Sequence, residues 1–200
     1  MELAGVLLGQ EPLMREGAEV VRALVAQTGF TVALAVLDGF DVLYLAAVEG
    51  SGLKASAHTG DRRPLHATAS GKVLLADITP DRLEAMLSSR PLTSVTPYTI
   101  TDIHRFKREL DEARVRGFAV NINERHVGAA AVAAPVRDHR GETVAAISLG
   151  FASHLSDGAT LDREVRLVIE AANALSRRLG APAHRLVPGR ATYLTPAGGH

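Results

Sequence analysis

Residues 118–150 read FAVNINERHVGAAAVAAPVRDHRGETVAAISLG, and this stretch decides the fold. Three short apolar runs, Phe118 to Ile122, Ala129 to Val136 and Thr143 to Gly150, are separated by polar, glycine-containing connections at 123–128 and 138–141. Runs of that length bounded by turn residues are strands, and connections this short join antiparallel neighbours. The sequence therefore predicts a three-stranded antiparallel unit without intervening helices.

The same pattern precedes it. Thr31 to Leu37 and Val42 to Val48 flank Asp38-Gly39, which predicts a hairpin with a loop slightly longer than two residues. Leu53 to Ala57 is a candidate third strand. Residues 58–66, with Asp61, Arg62, Arg63 and Pro64, are expected to form a polar loop. Helices are predicted over 12–28, with Pro12 in its first turn, from Ala67–Ser70 through Leu75, and from Pro80 through Leu87. A further helix starts after the N-cap Asp102 and stops at Gly117, with Ile103, Phe106, Leu110 and Ala113 as its apolar stripe. A long amphipathic helix covers 159–179 through Leu161, Val165, Val168, Ile169, Ala172, Leu175 and Leu179. Strands grouped by hairpins, not alternating with helices, indicate α+β with a mostly antiparallel sheet. Residues 181–200 carry Pro182, Pro188, Pro196 and Gly198-Gly199 without periodicity and are expected to form a flexible tail.

Composition narrows the function. The 200 residues hold 22 basic and 22 acidic side chains, so the formal net charge is zero, which argues against a free-standing nucleic-acid binder. There is no cysteine, which removes disulfides, thiolate metal sites and cysteine nucleophiles. Apolar runs reach about six residues, whereas a membrane span needs ~20. The chain is expected to be cytoplasmic, with no membrane partner.

Local motifs offer little catalysis. Ser70-Gly71-Lys72 resembles a phosphate-binding loop, but that motif requires Gly where His66 stands and Ser or Thr where Val73 stands. What survives is a helix start at Thr68 to Gly71, where unpaired N–H groups favour an anion, or where a hydroxyl simply caps the helix. Eight histidines show no metal-ligand spacing. His58 and His66 flank one loop, and Glu124 and His126 another, yet solvated loop histidines are the expected reading, with no metal and no cofactor. No Gly-x-Ser-x-Gly elbow is present, and no enzymatic activity is expected. The clusters Glu124-Arg125-His126 and Arg137 to Arg140 are expected to be solvated turns.

Five phrases occur in a distinctive order: Pro64 to Ala76 (PLHATASGKVLLA); Tyr98 to Asp102; Arg116 to Val120 followed by Glu124 and Gly128; Ala133 to Asp138; and Val144 to Ser148. Together, over about residues 10–180, they resemble the effector-binding domain of the IclR family of bacterial transcriptional regulators. The resemblance implies a GAF-like fold, a central antiparallel sheet with helices on both faces and a pocket on one of them. It implies a small organic effector, homodimers or tetramers, and contact with operator DNA only through a winged helix-turn-helix domain outside this chain. On that reading residues 1–10 are the end of the linker from that domain, 11–180 the effector-binding domain and 181–200 the tail. The alternative is a stand-alone GAF-like sensor, or an enzyme that does not act on DNA.

The resemblance also implies effector contacts. Backbone N–H groups at the helix start fall at Ala69 and Ser70. An acidic position of the family falls at Asn121, one often held by cysteine falls at Ala131, and two alternate serines fall at Ser148 and Gly150. With only Ser148 retained, the pocket is expected to be roomier and less polar than one for a two- or three-carbon acid. An aromatic or longer carboxylate is the implied ligand.

Overall fold

The computed structural model describes residues 3–51 and 57–188, with side chains from residue 12 onward. Helix α1 is Leu3–Thr28, followed by the hairpin β1 (Thr31–Asp38) and β2 (Asp41–Val48). A short strand β3 (Arg62–Pro64) leads through the 3-10 turn Leu65–Ala67 into α2 (Ala69–Ala76). Next come α3 (Pro80–Ser89), α4 (Ile103–Arg116), β4 (Ala119–Ile122), β5 (Ala129–Arg137), β6 (Thr143–Ala152) and α5 (Gly158–Arg178). The strands form one six-stranded sheet in the order β3-β2-β1-β6-β5-β4, and every neighbouring pair is antiparallel. The first and last strands, β1 and β6, meet in the middle and join the two hairpin groups.

Period-two alternation makes the two faces unlike. Val32, Leu34, Val132, Ile147, Leu149 and Phe151 point to one face and pack on α1 and α5. Ala35, Ala119, Ala133 and Ala146 point to the other, beneath α2, α3 and α4. Large residues fill the first layer. The second is lined by small residues on the strands, so α2 lies close to the sheet.

Local chemistry sets the element ends. Asp102 Oδ1 accepts from the Arg105 N–H at 2.7 Å, and Asp157 Oδ1 from the Thr160 N–H at 3.1 Å, which caps α4 and α5. Gly117 closes α4 at φ 76°, where any side chain would also strike Val187.

Several expectations change. Pro12 lies inside α1 and does not open it; the cost of one missing N–H is offset by the packing of Leu13, Val20, Val21 and Leu24. The first hairpin turn has two residues, Gly39 and Phe40, because Gly39 at φ 60° permits the tight form. The expected loop 58–66 contains β3 and the 3-10 turn. The candidate strand at 53–57 falls almost wholly outside the described residues, as do 189–200 of the expected tail. The first part of that tail is docked: the Val187 N–H donates to Asn173 Oδ1 at 3.0 Å, Asn173 Nδ2 donates to the Val187 carbonyl at 2.9 Å, and Val187 is buried. No helix among the described residues is long and apolar enough to cross a membrane.

One core position works against the rest. Glu164 on α5 is fully buried; Oε1 accepts from Arg163 Nη1 at 2.6 Å, while Oε2 has no hydrogen-bond partner. Burial pushes its carboxyl above the ordinary value, against the pull of Arg163. A raised carboxyl binds its proton more tightly in the native state, so the associated stability is present at acid pH and is lost as pH rises through the folded value. Glu164→Gln is therefore expected to be more stable than the parent at neutral pH by about 1–3 kcal/mol, the two converging on acidification. Urea midpoints across a pH series measure this.

Candidate functional site

The small side chains line up in rows across the sheet. Thr31, Gly150, Ala131 and Asn121 are register partners on β1, β6, β5 and β4, and Ala33, Ser148 and Ala133 form the adjacent row. Where α2 begins above these rows, the space left is a cavity of about 370 Å³. All six expected positions, Ala69, Ser70, Asn121, Ala131, Ser148 and Gly150, line it.

The start of α2 is built by close approach. Thr68 caps it, its Oγ1 accepting from the Gly71 N–H at 3.1 Å, and its carbonyl takes the Lys72 N–H at 3.1 Å. The first two N–H groups, of Ala69 and Ser70, are those a helix cannot satisfy internally, and no described residue accepts from them. Gly71 is required for packing: a Cβ there would lie 2.0 Å from the Leu65 carbonyl oxygen. The glycine read as part of a failed phosphate motif thus lets the 3-10 turn fold back onto the helix.

Lys72 fixes this helix from beneath. It is almost fully buried, and its Nζ donates to Glu124 Oε1 at 2.6 Å, to the Val120 carbonyl at 3.0 Å and to Glu109 Oε1 at 3.3 Å. Thr99 Oγ1 and Thr96 Oγ1 donate to the Glu124 carbonyl at 2.7 and 3.2 Å. Burial pushes the Glu124 carboxyl upward, and Lys72 opposes that shift. Glu124 is therefore not the solvated turn residue expected from sequence. His66 is also buried, its Nε2 2.8 Å from the Thr93 carbonyl. No group of three metal-ligating side chains converges among the described residues.

Asn121 is more committed than expected. Its Nδ2 donates to the Ala67 carbonyl, and its Oδ1 accepts from the Glu124 N–H at 3.1 Å. It braces the 3-10 turn that leads into α2 against the loop, which leaves at most one side-chain N–H unused. The Ser148 hydroxyl, by contrast, has no hydrogen-bond partner among the described residues.

The cavity also has polar lining residues outside the six expected positions. Tyr44, Arg63 and Arg125 line it, and no described lining residue is a carboxylate. Arg63 Nη2 is paired with Asp61 at 2.6 Å. Burial pushes the Tyr44 phenol above its ordinary value, against the pull of Arg63 and Arg125, so at neutral pH it is a protonated donor. Sequence reading missed these three. Arg63 and Arg125 were assigned to solvated loops, and Tyr44 to an ordinary strand; only the aromatic at an inward-facing strand position hinted at a role.

Residues 6–177 match the family described as Bacterial transcriptional regulator IclR C-terminal. The chain belongs to the IclR family. It is 34% identical over 185 residues to the HTH-type transcriptional regulator XynR of Escherichia coli K12, covering 92% of this chain and 73% of XynR. It is 36% identical over 177 residues to the HTH-type transcriptional regulator BhcR of Paracoccus denitrificans, covering 88% and 61%. The chain therefore spans only part of each regulator. The inducer-binding domain of the PobR transcription factor from Acinetobacter, solved as a double mutant with 3-hydroxybenzoic acid, superposes with a TM-score of 0.73. It is 31% identical and covers 80% of this chain and 94% of that domain. The 200 residues thus carry the C-terminal effector-binding domain of an IclR-type transcriptional regulator.

Removing the Lys72 ammonium leaves the Glu124 carboxyl buried without its partner. Lys72→Met is expected to lower stability by about 3–5 kcal/mol in urea denaturation, and adding Glu124→Gln to recover part of that loss. Additivity of the two losses would show that the pair does not hold the helix to the loop.

Proposed function

We propose that the cavity above the small-residue rows is the effector pocket of a cytoplasmic regulator, that the effector is an organic carboxylate with an aromatic or longer apolar body, and that this chain has no enzymatic activity. The observation that carries this reading is the pairing of the free Ala69 and Ser70 N–H groups with a cavity lined by arginine and no described carboxylate. A helix start supplies N–H donors and a partial positive charge, worth up to ~2 kcal/mol when partly buried. Ser148 adds a hydroxyl, and Ala131 and Gly150 leave room for the body of the ligand. The aromatic carboxylic acid in the PobR domain supports the same chemistry.

Homo-oligomers, dimers or tetramers, belong to this proposal, and so does operator binding through a winged helix-turn-helix domain outside the described fold. A closed symmetric dimer is the commonest solution for such chains. Sedimentation of this chain is expected to give a mass above the 21.1 kDa monomer.

Thermal-shift screening of organic acids tests the pocket, since a native-state ligand at 100 times its Kd adds about 2.7 kcal/mol. Ala131→Leu places a branched side chain in the row between Asn121 and Gly150. It is expected to weaken a hit by about tenfold or more while the urea midpoint stays near the parent's. A folded Ala131→Leu chain that binds the hit as tightly as the parent would place the site elsewhere.

A further inference from the structure

Two guanidinium groups reach the cavity from opposite ends of the sheet order. Arg63 lies on the edge strand β3, and Arg125 follows β4 at the other edge, yet both line the same cavity as Tyr44. They are not equivalent. Arg63 is engaged with Asp61 at 2.6 Å. Arg125 has neither an ion pair nor a hydrogen bond among the described residues, and its Nε is shut off from solvent without an acceptor. A buried guanidinium N–H with no acceptor is costly, and guanidinium groups recognise planar oxyanions through paired N–H donors. Tyr44 lines the same cavity.

Arg125 is also separate from the start of α2. Asn121 ties the two segments together, donating to the Ala67 carbonyl just before α2 and accepting from the Glu124 N–H in the loop that carries Arg125. The loop is held in place by the Lys72–Glu124 contact and by Thr96 and Thr99. The cavity lining therefore carries two electropositive groups from different segments: the N–H groups of Ala69 and Ser70, and the Arg125 guanidinium. A single carboxylate at the helix start leaves the Arg125 guanidinium without a counter-charge among the described lining residues.

We infer that Arg125 forms a second anion subsite in this cavity, which Tyr44 also lines, and that the effector is a small diacid. One carboxylate sits at the start of α2 and the second acidic group at Arg125. The inference rests on the reading of this cavity as the effector pocket.

Calorimetric titration of this chain with matched acids, at constant ionic strength, separates the two statements. The probes are benzoate against isophthalate and terephthalate, and hexanoate against adipate. At least one diacid is expected to bind about tenfold or more tightly than its monoacid, in line with a charge-assisted contact. Arg125→Gln is expected to abolish that preference, and Arg125→Lys to restore part of it. Since Arg125 makes no hydrogen bond among the described residues and its Nε–H is buried without an acceptor, both variants should be at least as stable as the parent in urea. Equal binding of monoacid and diacid by the parent overturns the second subsite and leaves the carboxylate pocket standing. So does a preference that survives in Arg125→Gln, or a loss in that variant equal for both partners of a pair. Failure of all five acids to bind the parent overturns the carboxylate reading itself, and the second subsite with it.

Discussion

The buried Lys72 ammonium is the contact on which the cavity depends. A lysine almost fully removed from water is tolerable only where anions and carbonyls replace its hydration. Here Glu124, Glu109 and the Val120 carbonyl do so, and they belong to three different pieces of chain: the β4–β5 loop, α4 and β4 itself. Satisfying one charge therefore fixes the position of α2 against the strand edge and the loop together. The Ala69 and Ser70 N–H groups, one turn before Lys72, are held over the sheet as a consequence. Their position at the cavity follows from the electrostatics of a side chain a turn away.

The second constraint is the inequality of the sheet faces. Leucine, isoleucine, valine and phenylalanine on one face build a close-packed layer with α1 and α5. Alanine, glycine, serine and threonine on the other leave volume that α2 covers only in part. Strand residues alternate between faces, so neither layer moves alone. Thr31 and Ala33 line the cavity, and Val32 and Leu34 between them pack toward α1. Gly17 of α1 sits so near β1 that a Cβ there would lie 2.4 Å from Leu34 Cδ2.

Much of this was legible from sequence. The strand groups at 31–48 and 118–150 carry their own turn signals, Asp102 and Gly117 bound their helix, and the ordered phrases around Ser70, Asn121 and Ser148 indicate the family. All six expected site positions reach one cavity because each lies on a regular element, where period and register fix direction. The parts not legible depend on tertiary placement. Glu124 and His66 are buried by partners 52 and 27 residues distant along the chain, Lys72 and Thr93. Arg63 and Arg125 sit in segments whose local composition is that of solvated turns. Asn121 has a side chain suited to a ligand, but neighbouring backbone groups occupy most of it. The docked Val187 lies in a stretch without periodicity, since one buried residue and a pair of amide hydrogen bonds leave no repeating pattern.

These features bear on how an occupied pocket differs from an empty one. A ligand shifts an equilibrium only by its difference in affinity between two arrangements. The start of α2, Asn121 and the 123–128 loop are tied to each other through Ala67, Glu124 and Lys72, so this side of the cavity behaves as one body. The opposite side is β1 and β2, with Thr31, Ala33 and Tyr44. A ligand gripping both sides stabilises one particular spacing between them. Because β1 is one strand thick, any change in that spacing is also a change in the surface on which α1 packs. The sheet stands between the cavity and α1, with alternate residues of β1 facing each.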